Sequence, residues 1–187
     1  MSFTKQFLAE VQQVTAQLNE AAIEKCADEL AAIRERGGRL FILGVGGSAG
    51  NAGHAVNDFR KICGFEAYAP TDNVAEFTAR TNDHGWHSTF INWLICSHFS
   101  ADDTILILSV NGGRKDVSSN IYEAVKYAKL IGAKILGIVG KIDGETARQA
   151  DVCVIIPTVN PERITPHAEA WQSIILHLLC SHPLLCK

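Results

Sequence analysis

The 187-residue sequence has no apolar run long enough to span a bilayer; its longest, such as 105–108 and 174–179, are a few residues each. The opening residues, Met1-Ser-Phe-Thr-Lys-Gln-Phe-Leu8, hold neither an extended apolar segment nor a cleavage site, so no secretory signal is expected and a cytoplasmic location is. Basic residues are not clustered. Seventeen Lys and Arg against twenty Asp and Glu leave a net charge of −3, which gives no footprint for a nucleic-acid backbone. The six cysteines, at 26, 63, 96, 153, 180 and 186, include no C-x-x-C pair. Most sit among apolar neighbours, as in Val152-Cys153-Val154, so buried, reduced thiols are expected for most of them, with Cys186 the exposed exception. Repeats, linkers and low-complexity segments are also missing. The 47% of hydrophobic residues are spread along the chain, as in a folded globular protein. We read one domain over 1–187, with helices in 1–36 and an α/β core in 37–187.

Residues 3 to about 35 read as two helices, from the spacing of Phe7, Leu8, Val11, Val14 and Leu18 and then of Ile23, Leu30 and Ile33, stopped at Gly37-Gly38. The pattern then alternates. Short apolar strands are expected at 39–43, 104–109, 134–139 and 152–156. Helices are expected at about 49–63, 85–99, 117–131, 144–150 and 167–181, with a loop over Pro157–Pro166. Strands alternating with helices predict a doubly wound parallel sheet covered on both faces, with ligands bound beyond the carboxyl ends of the strands.

Two of those strand ends carry glycine and serine: Gly44-Val-Gly-Gly-Ser48 and Ser109-Val-Asn-Gly-Gly113. Glycines feeding a helix let backbone N–H groups approach an anion, and the helix dipole favours it. The P-loop lysine motif is absent, and Ala49 stands where a dinucleotide fingerprint has its third glycine. A bare strand-to-helix turn is the alternative.

His54 and Asp58, four apart on one expected helix, share a face. Glu169 and His177, eight apart on another, also share one. Two imidazoles and two carboxylates suit a divalent cation or a proton-transferring pair, although such pairs on helices are more often surface contacts. His84, His87, His98 and His182 form no pattern. His167 is expected in a cap or loop, and Trp86, Trp93 and Trp171 in packing.

The segment from Leu43 to Asp58 resembles the G-x-G-G-S…H-x-x-x-E stretch of bacterial phosphoheptose isomerases, which carry the sugar isomerase (SIS) fold. Thr81-Asn-Asp-His-Gly85 resembles their N-D-x-G segment, Ser109–Gly113 stands at their Ser/Thr-rich loop, and 132–151 and the last helix are similar to theirs. The resemblance covers nearly the whole chain. It implies a five-stranded parallel sheet, a homotetramer with active sites between subunits, and conversion of sedoheptulose 7-phosphate to a heptose 7-phosphate. It implies a phosphate held by Gly46, Gly47, Ser48 and Ser109, with Asn82, Asp83 and Asn111 near the sugar.

It also implies zinc, or another divalent ion, on His54, Asp58, Glu169 and His177, with Asp58 and His177 as the acid/base pair. Four departures stand out. Asp58 replaces a Glu, Glu169 replaces a Gln, Val110 and Asn111 replace hydroxyl residues, and Arg114 stands at a Ser. Arg114 is expected to bind phosphate with its guanidinium fork, helped by Ser118 and Ser119. The rival readings are an isomerase for another ketose phosphate and a non-catalytic sugar-phosphate sensor or assembly scaffold of the same fold.

Overall fold

The computed structural model describes residues 1–187. Two helices open the chain, α1 (Phe3–Gln17) and α2 (Glu20–Glu35), each capped by a side chain: Ser2 accepts from the Lys5 N–H and Asn19 from that of Ala22. There follow β1 (Leu40–Gly44), α3 (Gly47–Lys61), β2 (Ala67–Tyr68), α4 (Val74–His84), α5 (Thr89–Cys96), β3 (Thr104–Ser109), α6 (Ser119–Ile131), β4 (Lys134–Val139), α7 (Glu145–Gln149), β5 (Val152–Ile155) and α8 (Ile164–Cys180).

All five strands are parallel, in the order β2-β1-β3-β4-β5. Side chains alternate across this sheet. Leu40, Ile42, Leu106, Leu108, Leu136 and Ile138 face α2, α3 and α8. Phe41, Leu43, Ile105, Ile107 and Ile135 face α5 and α6. Both faces are covered, which is why β1 and β3 are buried along their whole length.

Three expectations are corrected. The fifth strand, β2, is a two-residue edge strand, too short to carry a periodic signal. The helix expected over 85–99 is the shorter α5, and a helix that was not expected, α4, precedes it. Asn73 caps α4, and Gly85, at φ +81°, ends it in a conformation that suits glycine; α5 follows a short turn. The last helix begins at Ile164, inside the expected loop. Pro166 falls in its first turn, where a missing N–H forfeits no helical bond. His167 is therefore a buried helical residue rather than a loop residue.

At the foot of β1 and β3, Arg39 and Asp103 lock the strand entrances together. Arg39 donates to both oxygens of Asp103, Nε to Oδ1 at 3.0 Å and Nη2 to Oδ2 at 2.7 Å, and also to the carbonyls of Ser97 and His98. Burial pushes the Asp103 carboxyl up, but bonds from Arg39 and from the Ser100 N–H outweigh it and hold the group below its ordinary range. A lowered folded pKa gives stability that is present above the ordinary carboxylate range and is lost progressively as pH falls below that range toward and through the lowered folded value. Asp103→Ala is expected to cost about 3 kcal/mol, the low end for breaking a buried pair because Arg39 stays a quarter exposed. Urea denaturation at pH 7 and pH 3 checks this, and the gap to the parent protein narrows at pH 3.

Candidate functional site

The strand order reverses between β1 and β3, so the chain leaves β1 on one side and β3 on the other, opening a crevice beyond their carboxyl ends. Val45 and Ser48 after β1, Ser109 at the end of β3 and Val110, Asn111 and Ser118 after it line a cavity of about 200 Å³ there, with Thr165 from the first turn of α8.

Gly46 caps α3 at φ +62° and ψ −128°, a conformation that suits glycine, and makes no side-chain cap bond. Ser48 is 1% exposed and its Oγ has no hydrogen-bond partner in the protein. A buried hydroxyl with no partner beside the N-terminus of a four-turn helix is a donor set for an anion. Ser109 Oγ accepts from the Gly112 N–H at 3.0 Å and so also shapes the second turn. Ser118 adopts a left-handed conformation at φ +57° as it enters α6, and Ser119 begins that helix outside the cavity lining.

Farther along α3, its seam with α8 carries titratable groups. The two helices run side by side in the same direction, joined by Asn51, whose Nδ2 donates to the Glu169 carbonyl at 2.8 Å and to Gln172 Oε1 at 3.2 Å. His54 Nε2 lies 3.2 Å and His177 Nδ1 3.5 Å from the same oxygen, Oδ2 of Asp58. The two imidazoles meet edge to face at 5.0 Å, and the Asp58 side chain is only 13% exposed while both rings are half open. One ligand atom from each of the three lies within 4.8 Å of the others. Two imidazoles and a carboxylate in that span suit a divalent ion such as zinc, and equally an acid/base group.

Glu169 lies outside this group. Eight helical residues advance about 12 Å, and side chains lean toward the helix start, so sharing a face of α8 does not bring Glu169 to His177. Its carboxylate rests instead against Gly47, at the start of α3, in space that a Cβ at 47 would take from it.

Arg114 is also placed differently from the expectation. It pairs with Asp116 at 3.1 Å and Asp143 at 2.9 Å, beside a separate cavity of about 330 Å³ that also includes Lys115 and Arg148. It thus ties the loop after β3 to the loop after β4 and does not line the Ser48 cavity. Asn82 and Asp83 are exposed on the last turn of α4 and bond to each other at 2.9 Å, likewise away from that cavity.

Thr165 escaped the sequence reading because its segment read as loop. Asn51 and Gln172 escaped it because nothing in their local pattern marks an interhelical contact. Cys26, Cys63 and Cys180 are buried free thiols; Cys96 and Cys186 are exposed. Burial pushes the Cys26 and Cys153 thiols up to about 12, which makes them inert.

A phosphoheptose isomerase of Rhodospirillum rubrum is 27% identical over 164 residues, covering 85% of this chain and 82% of its own. One of Aneurinibacillus thermoaerophilus is 29% identical over 164 residues, covering 85% and 78%. The solved structure of a phosphoheptose isomerase from Francisella tularensis superposes with a TM-score of 0.80 at 23% identity, covering 96% and 97%, a likeness of fold. The SIS-domain pattern matches residues 2–140, from α1 through the end of β4, and therefore through both glycine turns of the crevice; the chain belongs to the SIS-domain family.

Proposed function

We propose that this protein is an aldose–ketose isomerase that interconverts sedoheptulose 7-phosphate and D-glycero-D-manno-heptose 7-phosphate, with residues 1–187 acting as one SIS domain. The His54–Asp58–His177 group, with His54 and Asp58 on the helix that begins at the anion cavity and His177 on α8 beside it, carries this reading. The Rhodospirillum rubrum and Aneurinibacillus thermoaerophilus relatives, 27% and 29% identical, are named phosphoheptose isomerases, which supports the substrate class.

Length agrees as well. From Ser48 to His54 the helix rises about 9 Å at 1.5 Å per residue. An open-chain seven-carbon sugar spans about 10 Å from its phosphate to C1, from bond lengths near 1.5 Å. The phosphate sits on Gly46, Gly47, Ser48 and Ser109, with Asn111, Ser118 and Thr165 beside it, and C1 and C2 reach the His–Asp–His group.

Asp58 or His177 takes a proton from C1 of the ketose, leaving an enediol, and returns it to C2. The other member carries the hydroxyl proton from O1 to O2, so the reaction is a net isomerisation. Asn57 donates to Asp58 Oδ1 at 3.0 Å and so orients the carboxylate that faces both rings. A divalent ion, zinc foremost, would be held by His54, Asp58 and His177 and would supply Lewis-acid stabilisation of charge on the substrate oxygens.

The reading includes a homotetramer with sites between subunits. α4 buries none of its residues, Phe3 and Leu8 of α1 and Ile174 and Leu178 of α8 are exposed, and Asn82 and Asp83 would reach a cavity only from a neighbouring copy. No helix is long and apolar enough to cross a membrane, and a cytoplasmic location is part of the same reading.

Incubation of the purified protein with sedoheptulose 7-phosphate, followed by NMR, tests the reading. Turnover is expected, lost on chelation and restored by zinc. Turnover that chelation leaves intact removes the metal but keeps the isomerase. No turnover under any metal condition points to another ketose phosphate, the reading favoured by Val110 and Asn111 in place of hydroxyls, or to a binding role.

A further inference from the structure

Helix α1 is docked in an unusual way. Of its fifteen residues only Glu10 and Val14 are buried. Glu10 is 5% exposed, and both its oxygens are engaged by a segment 150 residues later in the chain. Arg163 donates through Nε at 2.9 Å and Nη2 at 2.7 Å, Asn160 through Nδ2 at 2.8 Å, and His167 Nε2 lies 2.9 Å away. Two aromatic rings of α1 flank the same groups. Phe7 stacks on His167 with centroids 4.7 Å apart, and Phe3 lies under the Arg163 guanidinium at 5.5 Å.

An apolar residue at position 10 would dock the helix at less desolvation cost, since replacing buried ion pairs with packed hydrophobic residues is often neutral or stabilising. What a carboxylate adds is a defined geometry for three polar partners. Those partners are the turn before α8 and its first turn. The same turn carries Thr165 in the cavity lining, and one turn later comes Glu169, against Gly47 at the start of α3.

We propose that Glu10 is a positioning residue for the sugar-phosphate cavity: through Asn160, Arg163 and His167 it sets where the first turn of α8, and with it Thr165 and Glu169, meets the start of α3. The proposal rests on the anion-binding reading of that cavity. The bonds from Arg163, His167 and Asn160 hold the Glu10 carboxyl well below the usual carboxylate range, so it is charged in this role at neutral pH.

The test uses the full chain and the variants Glu10→Gln and Arg163→Lys, which keep size or charge but lose the paired fork. Affinity for inorganic phosphate is measured by calorimetry, and KM and kcat with sedoheptulose 7-phosphate. A displaced cavity wall is expected to raise both Kd and KM about tenfold or more. It should leave kcat little changed, because His54, Asp58 and His177 lie farther along α3 and α8. Hydrogen exchange over 157–168 should speed up in the same variants. Unchanged Kd and KM in whichever variant folds, with only a lower thermal midpoint, would overturn the proposal by showing Glu10 to be a packing device. If the parent protein binds phosphate without turning over the heptulose phosphate, the substrate assignment fails while the Kd comparison still decides the role of Glu10. If the parent binds no phosphate, both fall.

Discussion

Asp58→Asn is expected to lower turnover at least about a hundredfold, the usual minimum for removing an acid/base group. The substitution keeps the shape of the side chain, which is 13% exposed, and removes its charge. It also puts an amide where one oxygen now faces both His54 Nε2 and His177 Nδ1, so the group loses its shared acceptor. His177→Gln is expected to lose a similar factor, and the double variant little more than the worse single one, because residues acting as a unit are not additive. Asp58→Glu is the informative control. It lengthens the carboxylate by one methylene, to the residue type the resembling isomerases carry, and is expected to keep substantial activity. Steady-state kcat at saturating sugar phosphate, with bound zinc measured in each variant, checks all three. Near-normal turnover in both Asp58→Asn and His177→Gln would remove the assignment.

The second large effect concerns a residue that touches no substrate. Gly44 ends β1 directly under the first turn of α3. A methyl group there would run into the backbone carbonyl of Ser48 and come within 2.8 Å of the Ala49 nitrogen. These are backbone atoms of a packed helix, so the strain cannot be relieved by rotating a side chain. Gly44→Ala is expected to destabilise the fold by about 1–3 kcal/mol through overpacking. Because the atoms displaced belong to the turn proposed to hold the phosphate, kcat/KM should fall about a hundredfold, the scale of a 1 Å misplacement. Denaturant unfolding and steady-state kinetics on one preparation separate the two losses. A variant with parental kcat/KM would show that the turn does not have to sit where it does.

The parallel sheet and both glycine turns were legible because they are local. β1 and β3 are short apolar runs ended by glycine and serine, and a run buried on both faces shows no alternation to misread. His54 and Asp58 were legible as a pair because four residues is one helical turn. The same argument failed for Glu169: being on one face says nothing about distance along the axis, and the carboxylate went to the gap left by Gly47. Arg114 was misplaced for a different reason. Its guanidinium pairs with carboxylates of the neighbouring loops, Asp116 at 3.1 Å and Asp143 at 2.9 Å, and the residue spacing does not record that pairing.

What the sequence determined by itself was therefore four of the five strands and the helices that alternate with them, though not β2 or α4, together with the strand ends that can accept an anion and the chemical types available there. Each of these follows from periodicity and from residues within a turn of one another. The tertiary structure decided which of those groups meet. The seam of α3 with α8 brings His177 to Asp58, the strand-order reversal puts Ser48 and Ser109 around one cavity, and the docking of α1 sets Glu10 among Asn160, Arg163 and His167. These contacts join residues more than sixty, and up to 157, positions apart. Such contacts depend on how the helices pack over the sheet, and no local pattern records that packing.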